Sequence, residues 1–173
     1  MLIFSNVFNS ALKLGFHSPR PYWVDAGVRA FSSETSFGMP SGHAQNAASL
    51  WGLAAVKIRL SWFRWLAVIL ILLIGFSRPL LGVHFPSDVL VGWAVGGLLL
   101  VAYLQLEKPV IRWFSNLNPS RQFTVALASS LVILLSGFLV LLGVSRWPVP
   151  PEWAEAALRA APQEPINPLT LAP

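Results

Sequence analysis

Long uncharged segments constrain the fold of this chain more than any other feature. Four segments are apolar enough to cross or nearly cross a bilayer: 42–56, 65–77, 89–106 and 122–145. A helix needs about 20 residues to span the hydrocarbon core. Segment 122–145 has 24 uncharged residues and is long enough, whereas 65–77 has 13 and would have to recruit 62–64. The pattern predicts an all-α, multi-pass transmembrane helical bundle with about four spanning or near-spanning helices.

Composition supports a membrane protein over the alternative, in which the shorter segments are core helices of a soluble protein. The chain is 55% hydrophobic and only 11% charged, and its mean hydropathy is +0.63. It has no cysteine, which excludes disulfides and thiolate metal sites. The net charge of +5 is divided among apolar segments and forms no continuous basic face, so nucleic acid is not an expected partner.

The length of 173 residues indicates one domain. We expect a membrane core over residues 1–147 and a proline-rich polar tail over 148–173, with a short amphipathic helix near 152–161. Before the first apolar segment, hydrophobic residues at helical spacing predict a helix that stops near Pro19. Gly92 and Gly96 have the spacing that allows close helix packing.

Basic residues in two loops give the bundle an orientation. The loop between the first two apolar segments and the loop between the last two contain half of the basic residues: Lys57, Arg59, Arg64, Lys108, Arg112 and Arg121. By the positive-inside rule these loops are cytoplasmic. Residues 41–43, 77–78 and 84–88 then lie together on the opposite, non-cytoplasmic face.

The sequence Pro40-Ser41-Gly42-His43 stands at the start of the first apolar segment. Backbone N–H groups at a helix start bind anions, and Gly42 allows a ligand to approach closely. Ser41 adds a hydroxyl donor and His43 a group that titrates near neutral pH. A helix cap without a ligand explains these residues equally well.

Arg78, His84 and Asp88 form a second polar group around the start of the third apolar segment. An aspartate can hold one imidazole nitrogen, which leaves the other free to act as a nucleophile. The alternatives are a buried structural His–Asp pair and a metal site, although the spacing matches no strong zinc pattern.

Lys13 and Arg20 are seven residues apart and could share a side if their helix persisted. Together with Arg78 they could neutralise a phosphoryl group, although juxtamembrane positive charge is the simpler explanation of the pair alone. We place His17 outside the site. Glu34, like its neighbours Asp25 and Arg29, could contact a head group or belong to a solvated loop.

The combined pattern K-x6-RP, PSGH and SR-x5-H-x3-D resembles the signature of the type 2 phosphatidic acid phosphatase family, which shares its site with vanadium haloperoxidases. The resemblance implies that His84 is the nucleophile, that Asp88 orients it, and that His43 is the proton donor. It implies no cofactor and no metal. It also implies a set of phosphate-binding residues: Lys13, Arg20, Ser41, Gly42 and Arg78.

Membrane members of this family remove phosphate from lipids at the non-cytoplasmic face. The resemblance therefore implies a lipid phosphate phosphatase in the cell membrane, acting on phosphatidate, polyprenyl pyrophosphate or sphingoid-base phosphate. The alternatives are a lipid phosphotransferase, a vanadate-dependent haloperoxidase and a non-enzymatic scaffold with a relict anion site. Such members usually have two helices before the first motif, so we expect N-terminal helices to be missing here.

Overall fold

A computed structural model describes residues 1–144, 148–161 and 166–167. The described residues form seven α-helices and no strand, which confirms the all-α prediction. The helices are α1 (Leu2–Phe16), α2 (Pro21–Val24), α3 (Gly42–Lys57), α4 (Ser61–Leu80), α5 (Pro86–Ser115), α6 (Pro119–Val144) and α7 (Pro151–Ala160).

Within the part of the chain that the structure describes, three helices are long and apolar enough to cross a membrane: α4, α5 and α6, the last over Pro119–Leu139. Their apolar side chains mostly face outward, as lipid contact requires. Helix α4 includes residues 62–64, which confirms that the short uncharged segment 65–77 recruits them to reach a spanning length. Helix α3 has 16 residues and lies against α4 and α5, so it is the near-spanning member of the predicted four. The last residue of the predicted segment 122–145 lies outside the described residues.

Small residues let α3 and α5 pack closely, as predicted from the glycine spacing. A Cβ atom on Gly92 would lie 2.7 Å from the carbonyl oxygen of Ser41, and one on Gly96 would collide with the carbonyl of Gln45. The close approach brings the two helix starts together, where the backbone N–H of Ser41 donates to the carbonyl of Asp88 at 3.0 Å. Two distant sequence motifs thereby meet at one end of the bundle.

Helix α1 is attached to α3 by a buried polar face. Ser5 donates to Asn46 at 2.7 Å, and Asn9 donates to Gln45 at 2.9 Å. The third buried residue on this face is Lys13, one turn further on. The chain leaves the helix after Phe16, slightly before Pro19, where the predicted helix stops.

Helix α7 packs against α2. Trp153 packs against Trp23 with 6.4 Å between ring centroids, and Ala157 joins the same buried cluster. The short helix expected near 152–161 is therefore present. Residues 145–147, 162–165 and 168–173 lie outside the described residues, and the domain boundary at residue 148 stays a prediction.

Candidate active site

The predicted site residues come together from five parts of the fold. Lys13 lies near the end of α1, and Arg20 immediately precedes α2. Residues 41–43 begin α3. Arg78 is in the last turn of α4, and His84 lies in the turn that leads to Asp88 in the first turn of α5. Most of these side chains are buried, and burial of polar and charged groups away from water is costly unless they are paired or hydrogen-bonded.

The geometry around His84 fixes its tautomer. Its Nε2 atom lies 3.3 Å from a guanidinium nitrogen of Arg20, and its Nδ1 atom lies 3.2 Å from a carboxylate oxygen of Asp88. A guanidinium has no acceptor, so Nε2 must contribute its lone pair and Nδ1 must carry the proton. Burial, reinforced by the charges of Arg20 and Lys13, lowers the pKa of His84 well below its usual value. The imidazole is therefore neutral, with its lone pair on the side of the arginine.

The carboxylate of Asp88 is itself held in place. The oxygen that accepts from His84 also accepts from the backbone N–H of Phe85 at 2.9 Å. The bond to Phe85 satisfies one of the free donors at the start of α5. The turn that begins the helix thus also orients the histidine.

Arg20 is fully buried and serves as a structural centre. Its guanidinium donates to the backbone carbonyls of Ser36 at 2.7 Å, Val83 at 2.9 Å and Phe37 at 3.1 Å. These bonds connect the segment before α3 to the turn before α5. The remaining donor capacity points toward His84 and Glu34.

Lys13 and Arg20 meet by a different route from the one expected. The condition for a shared helix side is not met, because α1 ends at Phe16 and Arg20 has extended backbone before α2. They converge on the hydroxyl of Ser36, which accepts from Lys13 at 2.8 Å and from Arg20 at 3.3 Å. Burial and the charge of Arg20 lower the pKa of Lys13 to about 7.

Glu34 occupies the centre of the cationic group. Its carboxylate pairs with Arg20 at 2.7 Å and with Arg78, and it lies 3.8 Å from Nε2 of His84. Burial opposes its ionised form, but Arg20, Lys13 and Arg78 together lower the pKa of this carboxyl. Of the two interpretations of Glu34, a head-group contact or a residue of a solvated loop, the second is wrong, because the side chain is only 10% exposed and pairs with two arginines.

At the start of α3, Ser41 caps the helix and His43 remains partly exposed. Ser41 is buried, and its hydroxyl accepts from the N–H of Ala44 at 3.4 Å, so the capping interpretation holds. His43 stays half-buried. Burial and the nearby charge of Arg78 lower its pKa, although Glu34 opposes that shift. A helix start, a hydroxyl and an imidazole therefore border the same cationic centre.

The other loop residues lie apart from this centre. His17 caps α1 and packs edge-on against Phe37 with 5.3 Å between ring centroids. Arg29 lies over the ring of Phe31, and Asp25 accepts from a backbone N–H two residues later. Among the described residues, no three acidic or histidine side chains are grouped to hold a metal ion.

A neutral histidine held by an aspartate, beside three buried cations at one end of a helical membrane protein, is an arrangement that can bind a phosphoryl group. The comparison with protein families agrees with this interpretation, because residues 1–112 match the PAP2 superfamily. The chain therefore belongs to the PAP2 superfamily.

Several characterised proteins are similar to the chain. Dolichyldiphosphatase of Saccharomyces cerevisiae is 28% identical over 136 residues, which cover 70% of this chain and 57% of the yeast protein. Phosphatidylglycerophosphatase B of Bacillus subtilis is 33% identical over 46% of this chain and 44% of its own length. Undecaprenyl-diphosphatase of Sulfolobus acidocaldarius is 34% identical over 42% of this chain and 35% of its own length. The chain thus spans less than two thirds of each of these relatives.

A solved structure supports the same fold. The crystal structure of a transmembrane PAP2 type phosphatidylglycerolphosphate phosphatase from Bacillus subtilis superimposes with a TM-score of 0.56 at 28% sequence identity. The superposition covers 63% of this chain and 56% of the Bacillus chain. A helical transmembrane architecture is therefore shared with that protein.

Proposed function

We propose that this chain is an integral membrane phosphatase that hydrolyses a phosphate monoester or diphosphate of a lipid through a phosphohistidine at His84. The observation that carries the proposal is the directed lone pair of His84. Asp88 holds the proton on Nδ1, and Nε2 faces the anion site formed by Arg20 and Arg78. A neutral, oriented imidazole beside an anion site is what in-line attack on phosphorus requires.

In the first step, Nε2 of His84 attacks phosphorus and the bond from phosphorus to the lipid oxygen breaks. Arg20, Arg78 and Lys13 neutralise charge on the equatorial oxygens, with Ser41 and the N–H of Gly42 as further donors. Protonated His43 gives its proton to the departing oxygen, so the lipid product leaves as an alcohol or a monophosphate. The pKa of His43 is lowered in the site without phosphate, and a bound dianion would raise it toward the value that a proton donor needs.

In the second step, water attacks the phosphohistidine and the phosphorus–nitrogen bond breaks. Neutral His43 takes a proton from the water, and Nε2 of His84 regains its lone pair. Inorganic phosphate is released and both histidines return to their starting states. No step requires a metal ion, so metal independence is part of the proposal.

The substrate class follows from the apolar surroundings and from the relatives. Names of similar proteins specify dolichyl diphosphate, undecaprenyl diphosphate and phosphatidylglycerophosphate as substrates of those proteins. Each of these substrates is a lipid that carries a phosphate, and the spanning helices of this chain would hold its apolar part in the bilayer. The loop charges support a site on the non-cytoplasmic face.

A phosphate-release screen tests the proposal. The full chain, purified in detergent micelles, would be given phosphatidate, a polyprenyl diphosphate and a sphingoid-base phosphate. We expect release from at least one lipid, loss of release in His84→Gln, and retention in His17→Asn. Asparagine tolerates the left-handed conformation of residue 17, so this variant is a matched control. Equal release from His84→Gln and wild type would refute the mechanism, and no release from any lipid would refute the function.

A further inference from the structure

The carboxylate of Glu34 occupies the place where a phosphoryl group would meet the arginines. One of its oxygens pairs with Arg20 at 2.7 Å and the other pairs with Arg78. The first oxygen also lies 3.8 Å from Nε2 of His84, the atom that would attack phosphorus. A carboxylate and a phosphoryl group use the same donors in the same geometry. Glu34 and a substrate phosphate therefore exclude each other from this site.

Electrostatics explain why the empty site needs this carboxylate. Arg20, Arg78 and Lys13 are all buried, and buried cations without a counter-charge are strongly destabilising. Glu34 supplies the counter-charge, and its side chain is only 10% exposed. The site is thus neutralised from within when no phosphate is bound.

The backbone that carries Glu34 is held by contacts outside the site. The hydroxyl of Tyr22 donates to the carbonyl of Glu34 at 2.8 Å and accepts from its N–H at 3.1 Å. The next residue, Thr35, accepts from the backbone N–H of Asn167 at 2.9 Å. Residue 34 itself belongs to the non-helical segment between α2 and α3. The position of residue 34 is therefore set by α2 and by the C-terminal segment as well as by Arg20, which holds the carbonyls of Ser36 and Phe37.

We propose that the Glu34 carboxylate is an internal competitor for the phosphoryl site, which substrate must displace and which returns to expel inorganic phosphate. The inference rests on the proposed function, because that function is what makes this cationic centre a phosphoryl site. Its energetic consequence is that every phosphate ligand binds more weakly than the arginines alone would allow, because only the fraction of molecules with Glu34 displaced can bind. In turnover, the weaker binding reduces product inhibition.

The test compares phosphate binding by the wild type and by Glu34→Gln. Titration calorimetry of the purified full chain with inorganic phosphate measures binding without any turnover. We expect the variant to bind phosphate about tenfold more tightly, since it loses a charged competitor held by two charge-assisted hydrogen bonds. Without phosphate the variant should melt at a lower temperature than the wild type, and saturating phosphate should raise its melting temperature more.

A second ion-paired carboxylate provides the control. Glu107 pairs with Lys57 at 2.6 Å and accepts from Tyr103 at 3.1 Å, far along α5 from the site. Glu107→Gln removes the same charge and should leave phosphate affinity unchanged. If Glu34→Gln binds phosphate equally well or more weakly than the wild type, the competitor role is wrong. The second result would mean that Glu34 positions the arginines for phosphate.

Tyr22→Phe tests the same idea while Glu34 is kept. The variant loses the two hydrogen bonds that hold residue 34, so the carboxylate should compete less well and phosphate should bind more tightly. Tyr103→Phe is the matched control. Unchanged affinity in Tyr22→Phe, together with a Glu34→Gln variant that fails to fold, would overturn the proposal. A chain that binds phosphate as expected but releases none from any lipid would refute the proposed function and leave the competitor role standing.

Discussion

Replacing Arg20 with lysine separates its charge from its geometry. The guanidinium donates to three backbone carbonyls, those of Ser36, Val83 and Phe37, while pairing with Glu34. A lysine ammonium keeps the charge but cannot reach acceptors spread around a planar fork. We expect it to keep the ion pair and one carbonyl, so that two buried carbonyls lose their donor.

The lost bonds set the magnitude of the effect. Each buried hydrogen bond contributes about 1–1.5 kcal/mol, so the loss of two in Arg20→Lys should destabilise the fold by about 2–3 kcal/mol. For a chain of this length that corresponds to a decrease of about 4–12 °C in Tm. Thermal unfolding in detergent, followed by circular dichroism, measures the shift.

Arg159→Lys is the control for this prediction. Arg159 is exposed and makes one contact, to Glu155 at 3.1 Å, so its replacement should change Tm very little. A Tm for Arg20→Lys no lower than that of the control would refute the reasoning. It would mean that residue 20 acts only as a point charge and that its carbonyl contacts contribute no stability.

Three further predictions concern catalysis, pH and topology. Asp88→Asn can present its amide N–H₂ to Nδ1 of His84, which would move the ring proton to Nε2 and block attack, so kcat should fall on the order of 10⁴-fold, and Asp88→Ala should cost a similar factor. A loss of less than tenfold in steady-state assays would contradict the orienting role of Asp88. Since the pKa of Lys13 is about 7, the wild type loses this cation as pH rises, whereas Lys13→Arg keeps its charge. The ratio of the phosphate affinity of Lys13→Arg to that of the wild type should therefore increase about tenfold between pH 7 and 8.5. A constant ratio in calorimetry would show that Lys13 does not titrate in this range. Because the chain has no cysteine, a single introduced cysteine is the one site that a maleimide can label. An impermeant maleimide should label the exposed site in Ala26→Cys from the non-cytoplasmic side, and that in Asn116→Cys only after permeabilisation. The reverse pattern would invert the proposed orientation.

Charge spacing and helical periodicity were sufficient to predict the bundle and the meeting of two motifs. Apolar length indicated the spanning helices α4, α5 and α6, and the glycines at 92 and 96 predicted close helix packing, which the structure places between α3 and α5. That approach places Ser41 against Asp88. These features depend on helical periodicity and on the order of apolar segments and charged loops, both of which can be read from the sequence.

The arrangement inside the site depends on tertiary contacts that no local pattern records. Arg20 reaches Lys13 through Ser36, a residue in a different segment, instead of along a shared helix. The role of Glu34 could have been predicted in part, because three buried cations require a counter-charge and this carboxylate lies six residues before Pro40. Choosing it over Asp25 requires knowing that Tyr22 holds residue 34 in place.

Trapping the covalent intermediate would show directly whether His84 is the nucleophile. Full-length protein would be mixed with a substrate lipid labelled on its terminal phosphate, denatured within one turnover, digested and analysed by mass spectrometry under alkaline conditions that preserve phosphoramidates. We predict one labelled peptide, with the phosphoryl group on His84 and none on His43. Label on another residue, or product release with no labelled protein, would contradict nucleophilic attack by His84.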